Sequence, residues 1–96
     1  MSFFRVTRIL KALGHPTRYH IMLVLAQGPK RWSRIAEEVF NDSIYYGRIA
    51  GKFQYHMQVL VKTGLIAQKN GMYELTRLGR RALRLAEELS GGSCWP

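Results

Sequence analysis

The sequence predicts a mainly α-helical fold in which one β-hairpin separates a fourth helix from a fifth. Three observations support this. Apolar residues recur at three- and four-residue steps in several segments, which is typical of helices with one buried face. Glycines at positions 14, 28 and 64 separate these segments. Asn70-Gly71 lies between two short apolar runs, a pair that favours the tight turn of a hairpin.

The first helix is predicted over residues 2–13. Gly14 ends it, and His15 precedes a proline, a position that disfavours the helical conformation. Its apolar stripe comprises Phe3, Val6, Ile9, Leu10 and Leu13.

The second and third helices are separated by Gly28-Pro29. Thr17 is the expected cap of helix two, residues 18–27, whose continuous apolar run predicts the most buried helix. Helix three is short, residues 32–40, with Ser33 as its expected cap. Its stripe comprises Trp32, Ile35, Ala36 and Val39.

The fourth helix is predicted within residues 43–63, with Gly64 as a left-handed stop. Gly51 inside a helix costs about 1 kcal/mol relative to Ala. We therefore favour a helix that begins only at Gly51 over one in which the backbone there approaches a phosphate. Its inward face is expected to comprise Phe53, Met57, Leu60 and Val61.

The hairpin is predicted to pair residues 65–69 with residues 72–75, and Thr76 is expected to cap a last helix. That helix has an apolar ridge of Leu78, Ala82, Leu85 and Leu89 and a basic ridge of Arg77, Arg80, Arg81 and Arg84. We expect one domain over residues 1–90 and a short tail over residues 91–96.

Helices three and four, followed by the hairpin, are the parts of an α/β winged helix-turn-helix. In this fold a mainly α-helical domain carries a two-stranded β-hairpin, the wing. The chain carries 15 Lys and Arg against 6 Asp and Glu, a net charge of +9, which favours a polyanionic partner. Residues 43–73 contain no acidic residue. Double-stranded DNA is the first candidate. A membrane surface is weaker, because the apolar run at 21–26 is far shorter than a span of about 20 residues.

The proposed recognition helix, the wing and the start of helix three carry groups that donate to phosphates or to base edges. A solvated helix face is the alternative for those on helix four, whereas for the arginines of helices one and five it is the favoured interpretation. Tyr55 could instead pack its ring against helix three. The expected DNA-binding residues are Lys30, Arg31, Ser33, Arg48, Lys52, Gln54, Tyr55, Gln58, Lys62, Lys69 and Asn70.

Catalysis, cofactors and metals are not expected. The three histidines show no ligand or catalytic spacing, and packing or hydrogen bonding is the simpler role for them. Cys94 is the single cysteine, so an intrachain disulfide is impossible. Basic residues interrupt the apolar runs near the N-terminus, unlike a signal peptide, and a cytoplasmic, nucleoid-associated protein is the expectation.

Three stretches resemble ArsR-like transcription regulators. Residues 10–18 (LKALGHPTR), followed by IMLVL, are similar to the opening of these proteins, and residues 55–66 (YHMQVLVKTGLI) to their recognition helix and wing. Residues 73–79 (YELTRLG) resemble a sequence motif that is common after the wing in archaeal members.

The resemblance implies a homodimer that pairs through its terminal helices and presents two recognition helices and two wings to DNA. The implied interface comprises Phe3, Val6, Leu10, Leu78, Ala82, Leu85 and Leu89. Helix three lacks the cysteine motif of metal-sensing members, so metal control is not implied. Residues 41–50 also make a longer turn than is usual, which leaves the start of the recognition helix open between Ser43 and Gly51.

Two other functions fit parts of the sequence. An abundant architectural protein that coats DNA with little sequence preference would carry the same charge. A winged helix can also serve as a protein-interaction module that keeps only the fold.

Overall fold

The chain forms five helices and one small sheet within residues 3–40 and 46–89, the part that the computed structural model describes; at residue 3 and residues 46–51 only the backbone is described. The elements in chain order are α1 (Phe3–Leu13), α2 (Pro16–Leu25), β1 (Lys30–Arg31), α3 (Trp32–Val39), α4 (Tyr46–Lys62), β2 (Ile66–Lys69), β3 (Met72–Leu75) and α5 (Arg77–Leu89). The predicted mainly α-helical winged helix-turn-helix is confirmed.

The sheet has a third strand that the sequence does not predict. β1 pairs antiparallel with β3, with Lys30 opposite Tyr73 and Arg31 opposite Met72, so the strand order is β1-β3-β2. Two residues are too few to show an alternating pattern. β1 forms because the free edge of β3 offers it backbone partners, which is a tertiary effect.

The start of α2 differs from the prediction. Pro16 is the first helical residue, and His15, in an extended conformation, is the N-cap. The Nδ1 atom of His15 accepts a hydrogen bond from the Thr17 backbone N–H at 3.2 Å. Thr17 is therefore not the cap. Proline is well suited to a first helical position because its fixed φ is already helical and its missing N–H would have no helical partner.

The cap predicted for α3 is also wrong. Arg31 is the N-cap and makes no side-chain capping bond, while Ser33 lies inside the first turn. Pairing of β1 with β3 holds Arg31 in an extended conformation, so the helix starts where the strand ends.

The fourth helix is continuous from Tyr46 to Lys62, so the expectation that it begins only at Gly51 is wrong. Residues 41–45, which include Ser43, lie outside the described residues. The predicted stop is confirmed: Gly64 has φ +80°. Leu65 N–H bonds to the Leu60 carbonyl and Gly64 N–H to the Val61 carbonyl, both at 3.0 Å, which is the Schellman pattern.

The core is centred on α2, as predicted. This helix packs against α1, α3, α4, α5 and β3. On α4, three of the four residues expected to face inward are buried, but Val61 is 41% exposed because it lies at the edge of the apolar stripe. The largest fully buried side chains are Ile21, Met22, Leu25, Ile35, Phe53, Met57, Leu60, Leu65 and Ile66.

Two residues attach α5 to the wing. Thr76 caps α5 as predicted: its Oγ1 accepts from the Gly79 N–H at 3.0 Å and donates to the Gly64 carbonyl. A Cβ atom on Gly79 would overlap the Leu65 carbonyl oxygen. Glycine is therefore required where α5 crosses the backbone of Leu65. No helix in the described ranges is long and apolar enough to cross a membrane.

Candidate nucleic-acid interface

The outer face of α4 is polar and cationic, and it is held in place by the apolar face beneath it. Phe53, Met57 and Leu60 are buried. Because the helical repeat turns the intervening positions outward, most of the other side chains described on this helix meet solvent. The exposed ones are Lys52, Gln54, Tyr55, Gln58, Val61 and Lys62.

Aromatic contacts fix α4 to α3. The ring of Phe53 makes edge-to-face contacts with Trp32, at a centroid distance of 4.9 Å, and with Phe40, at 5.4 Å. Such pairs stabilise by about 0.5–1.5 kcal/mol beyond the area they bury. They set the position of α4 relative to the helix that precedes it.

A hydrogen bond across the same contact orients Gln54. The indole Nε1 of Trp32 donates to the Gln54 side-chain oxygen at 2.7 Å. With its oxygen engaged, the amide –NH₂ of Gln54 remains to donate to an acceptor. The sequence shows neither this bond nor its direction, because the partners are 22 residues apart.

A groove of about 330 Å³ separates α4 from the wing. The predicted residues Gln54, Gln58 and Lys62 line its α4 side, while β2 contributes Gln68, which sequence reasoning missed. Gln68 carries no charge and belongs to no motif, so only the pairing of the wing strands reveals its position.

The tip of the wing is a tight turn of the predicted kind. Asn70 and Gly71 both have positive φ, +55° and +76°, as a type I′ turn requires. Lys69 and Asn70 are exposed there. The hairpin therefore presents one ammonium and one amide at its end.

The start of α3 presents fewer free cations than the sequence suggests. Lys30 Nζ lies 3.3 Å from a Glu38 carboxylate oxygen, and Arg34 Nε lies 3.5 Å from the same oxygen. Lys30 would have to exchange this partner for a phosphate. Arg31 and Ser33 are exposed.

The predicted residues Lys52 and Tyr55 on α4 do not line the groove. The backbone of Arg48 belongs to α4, but its side chain is outside the description. Tyr55 is exposed, with its ring 5.7 Å from that of His56 on the same helix. The exposure of Tyr55 leaves its hydroxyl and ring edge at the surface rather than packed under α3.

Basic residues of α1 meet the end of α4. Arg5, Arg8 and Lys62 line one surface cavity of about 450 Å³ together with Thr63 and Gly64. The sequence favours a solvated helix face for the α1 arginines. No local pattern shows their proximity to Lys62, which arises only when the folded chain brings the start of α1 and the end of α4 to one cavity.

His56 is the one buried polar residue among those described. Its pKa is lowered from the ordinary value of 6.5 by burial first, and then by the positive surroundings of His15, Arg18 and Lys52. The rings of His56 and His15 are 4.2 Å apart. Within the described ranges, no group of three or more His, Cys, Asp and Glu could hold a metal ion.

A second surface, between α1 and α5, is apolar. It forms a groove of about 460 Å³ that includes every predicted interface residue except Phe3, whose side chain is not described. Ala82 is buried in its floor, whereas Leu10 and Leu85 are 58% and 59% exposed. The residues that line it are Val6, Ile9, Leu10, Leu13, Gly14, Leu78, Arg81, Ala82, Leu85, Ala86 and Leu89.

Comparison with solved structures found a crystal structure of an ArsR family transcriptional regulator with the same fold. The TM-score is 0.65 at 22% sequence identity, over 94% of this chain and 92% of the other. At this identity the likeness extends to the fold alone. The search of curated proteins found no significant match. A family model described as "Domain of unknown function (DUF7347)" matches residues 6–86. The chain therefore belongs to the DUF7347 family, and it has a winged helix-turn-helix fold like that of the matched structure.

Proposed function

We propose that the protein is a transcription regulator that binds double-stranded DNA as a homodimer, with α4 in the major groove and the wing on the backbone or in the minor groove. One observation carries the proposal. The exposed face of α4 and the adjoining wing form a continuous surface of amides and ammonium groups, and no carboxylate occurs between residues 43 and 73. A DNA duplex would meet no repulsive charge there.

The dimensions support this placement. A helix of 17 residues is about 25 Å long, and a major groove about 12 Å wide admits one α-helix. Lys52 and Lys62, which lie near the two ends of the described outer face along the helix, would then reach backbone phosphates. Gln54 and Gln58 would face the base edges.

The wing and the start of α3 would supply the remaining contacts. Lys69 and Asn70 project from the hairpin tip, where a backbone or minor-groove contact is within reach. Arg31 and Ser33, with Lys30 once it leaves Glu38, would meet a phosphate near the first turn of α3. The position of Arg48 on α4 is consistent with a further phosphate contact.

Homodimerisation is proposed through the groove between α1 and α5. Exposed Leu10, Leu85 and Leu89 make this an apolar surface that water solvates poorly. The fold and the apolar lining support one occupant for this groove, namely the same groove of a second copy of the chain. A dimer would present two copies of α4 to half-sites about 34–36 Å apart.

The direct test measures the binding of short duplexes by fluorescence anisotropy, with the wild-type protein and with a double variant in which two lysines are replaced by glutamates. Lys62→Glu with Lys69→Glu should weaken binding by about 100-fold or more, because each reversal replaces an attraction to phosphate with a repulsion. The matched control, Arg80→Glu with Arg84→Glu, changes the net charge equally on exposed positions of α5. Equal losses in both pairs would show that only net charge matters and would contradict the assigned surface.

Selection from a random duplex library separates a regulator from an architectural protein. A regulator should prefer its site by about 10³-fold or more over unrelated DNA. A flat profile would support coating of DNA. Absence of binding to any duplex at low salt would reject both and favour a protein-interaction module.

A further inference from the structure

A second cationic site lies beside the outer face of α4, on the side away from the wing. It is a surface cavity of about 510 Å³ between the first turn of α2 and the middle of α4. The residues that line it are His15, Arg18, Lys52, Tyr55 and His56. None of them is among the residues of the groove between α4 and the wing.

Two buried polar atoms at this cavity have no hydrogen-bond partner. These are Nδ1 of His56 and Nε of Arg18. His56 is only 9% exposed. A buried polar group without a partner costs about 1–3 kcal/mol, and in a folded protein it usually meets a ligand, an ion or ordered water.

The charge of the cavity is uncompensated. No Asp or Glu lines it, and neither Arg18 nor Lys52 forms an ion pair with a residue in the described part of the chain. Two fixed cations beside two imidazoles repel one another until an anion is bound. The site therefore favours a ligand that brings at least one full negative charge.

We propose that this cavity binds a phosphate-type oxyanion, held by Arg18, Lys52, His15 and His56. The guanidinium of Arg18 and the ammonium of Lys52 supply charge-assisted hydrogen bonds. Nδ1 of His15 accepts from the Thr17 N–H and so carries no proton, which leaves Nε2–H of its neutral imidazole to donate. Tyr55 closes the exposed side with its ring and hydroxyl.

Binding should be coupled to protonation of His56. In the empty cavity burial disfavours the imidazolium form of His56 first, followed by the charges of His15, when it is protonated, of Arg18 and of Lys52. A bound anion reverses the sign of the local potential, so the pKa of His56 should rise on binding. By linkage, affinity should increase as the pH falls through the range where His56 takes up its proton.

The phosphate group could come from a free anion or from the DNA backbone. Lys52 lies on α4 two residues before Gln54, so a duplex seated on the outer face would place a backbone phosphate near the cavity. The second source rests on the proposed function, whereas the first does not.

The test is NMR of the full chain with inorganic phosphate and with sulfate, each against chloride at constant ionic strength. Saturable shifts of the His56 and His15 imidazole signals and of Arg18 Nε–H are expected. Sulfate keeps its charge between pH 5.5 and 8, so a rise in its affinity toward low pH would come from groups of the protein and not from the anion; the His56 signal should follow that rise. Absence of saturable shifts up to about 50 mM anion, a very weak affinity, would overturn the proposal.

Matched variants locate the site. Lys52→Gln should lower the affinity for sulfate by about tenfold, since it removes one charge-assisted bond. Lys11→Gln, an exposed lysine of α1 outside the cavity, should leave it unchanged. Lys52 is replaced first because it is exposed, so its loss should not disturb folding. Arg18→Gln is the second variant, because Arg18 is half-buried. Equal losses in Lys52→Gln and Lys11→Gln would contradict the site.

Addition of a duplex distinguishes the two sources. If backbone phosphate occupies the cavity, DNA should shift the His56 signal as phosphate does, and phosphate should compete with DNA beyond its effect on ionic strength. If a free anion is the ligand, phosphate should still saturate the site in the DNA complex. Saturable phosphate binding by a protein that binds no duplex would support the oxyanion site while rejecting the proposed function.

Discussion

The outer face of α4 and the groove between α1 and α5 are both exposed, but they differ in chemistry. The first presents lysine ammonium groups and side-chain amides, with Val61 as its one large aliphatic residue in the described part. The second is lined mostly by leucine, isoleucine, valine and alanine, with Arg81 as its one charged residue among those described. One surface is suited to a polyanion and the other to an apolar partner, so the two should respond to different perturbations.

Salt should separate the two surfaces most strongly. If roughly six to ten phosphates are contacted, DNA affinity should fall by about 10³- to 10⁵-fold between about 50 and 200 mM salt. Self-association through an aliphatic groove should change little over the same range. Anisotropy and sedimentation velocity measure the two quantities. DNA affinity that does not respond to salt would contradict the electrostatic role of α4.

The apolar groove can be broken separately. Leu10→Asp with Leu85→Asp should raise the dimer dissociation constant by about 100-fold or more, because each aspartate would be buried without a partner. Light scattering across a dilution series measures this. Leu23→Asp, at an exposed leucine of α2 outside the groove, is the control. A wild-type chain that is monomeric at high concentration would reject the proposed dimer.

Gly79 lies where α5 crosses the backbone of Leu65, next to the wing. It therefore affects both the surface beside the wing and the groove between α1 and α5. Gly79→Ala places a methyl group against the Leu65 carbonyl, and backbone cannot move aside as a side chain can. We expect a loss of about 1–3 kcal/mol in the free energy of unfolding, measured by urea denaturation. Gly71→Ala is a useful contrast, because its cost should come from the positive φ rather than from a clash. An unchanged midpoint for Gly79→Ala would contradict the close approach.

The smallest change tests orientation within the proposed DNA-binding face. Trp32→Phe keeps an aromatic ring beside Phe53 but removes the donor to Gln54. Freed from this bond, Gln54 can both donate and accept, so it could pair with adenine through two hydrogen bonds. A changed base preference at one position of the selected site is expected, with a stability loss of about 1 kcal/mol. Gln54→Ala in the same background should remove that preference; if it persists, another residue reads the base.

Several elements could be predicted because their cause is local. A continuous apolar run predicts the burial of α2, periodic apolar residues define the buried face of α4, and Asn70-Gly71 tolerates the positive φ values of a tight turn. Gly64 and Thr76 end and begin helices through bonds to neighbouring residues and to each other. Local chemistry also misled at two places: Thr17 and Ser33 have capping side chains, but Pro16 and the pairing of β1 set the helix starts.

The sequence alone determined the number and order of helices, the hairpin, the excess of positive charge and the absence of carboxylates from residues 43–73. The tertiary structure decided which side chains meet. It pairs Lys30 with Glu38 and Trp32 with Gln54. It also places Arg5 and Lys62 around one cavity and gathers His15, Arg18 and His56 around another. The physical reason is range: hydrogen bonding and helical periodicity act within a few residues, whereas charge clusters and grooves form only when packed helices bring distant residues together.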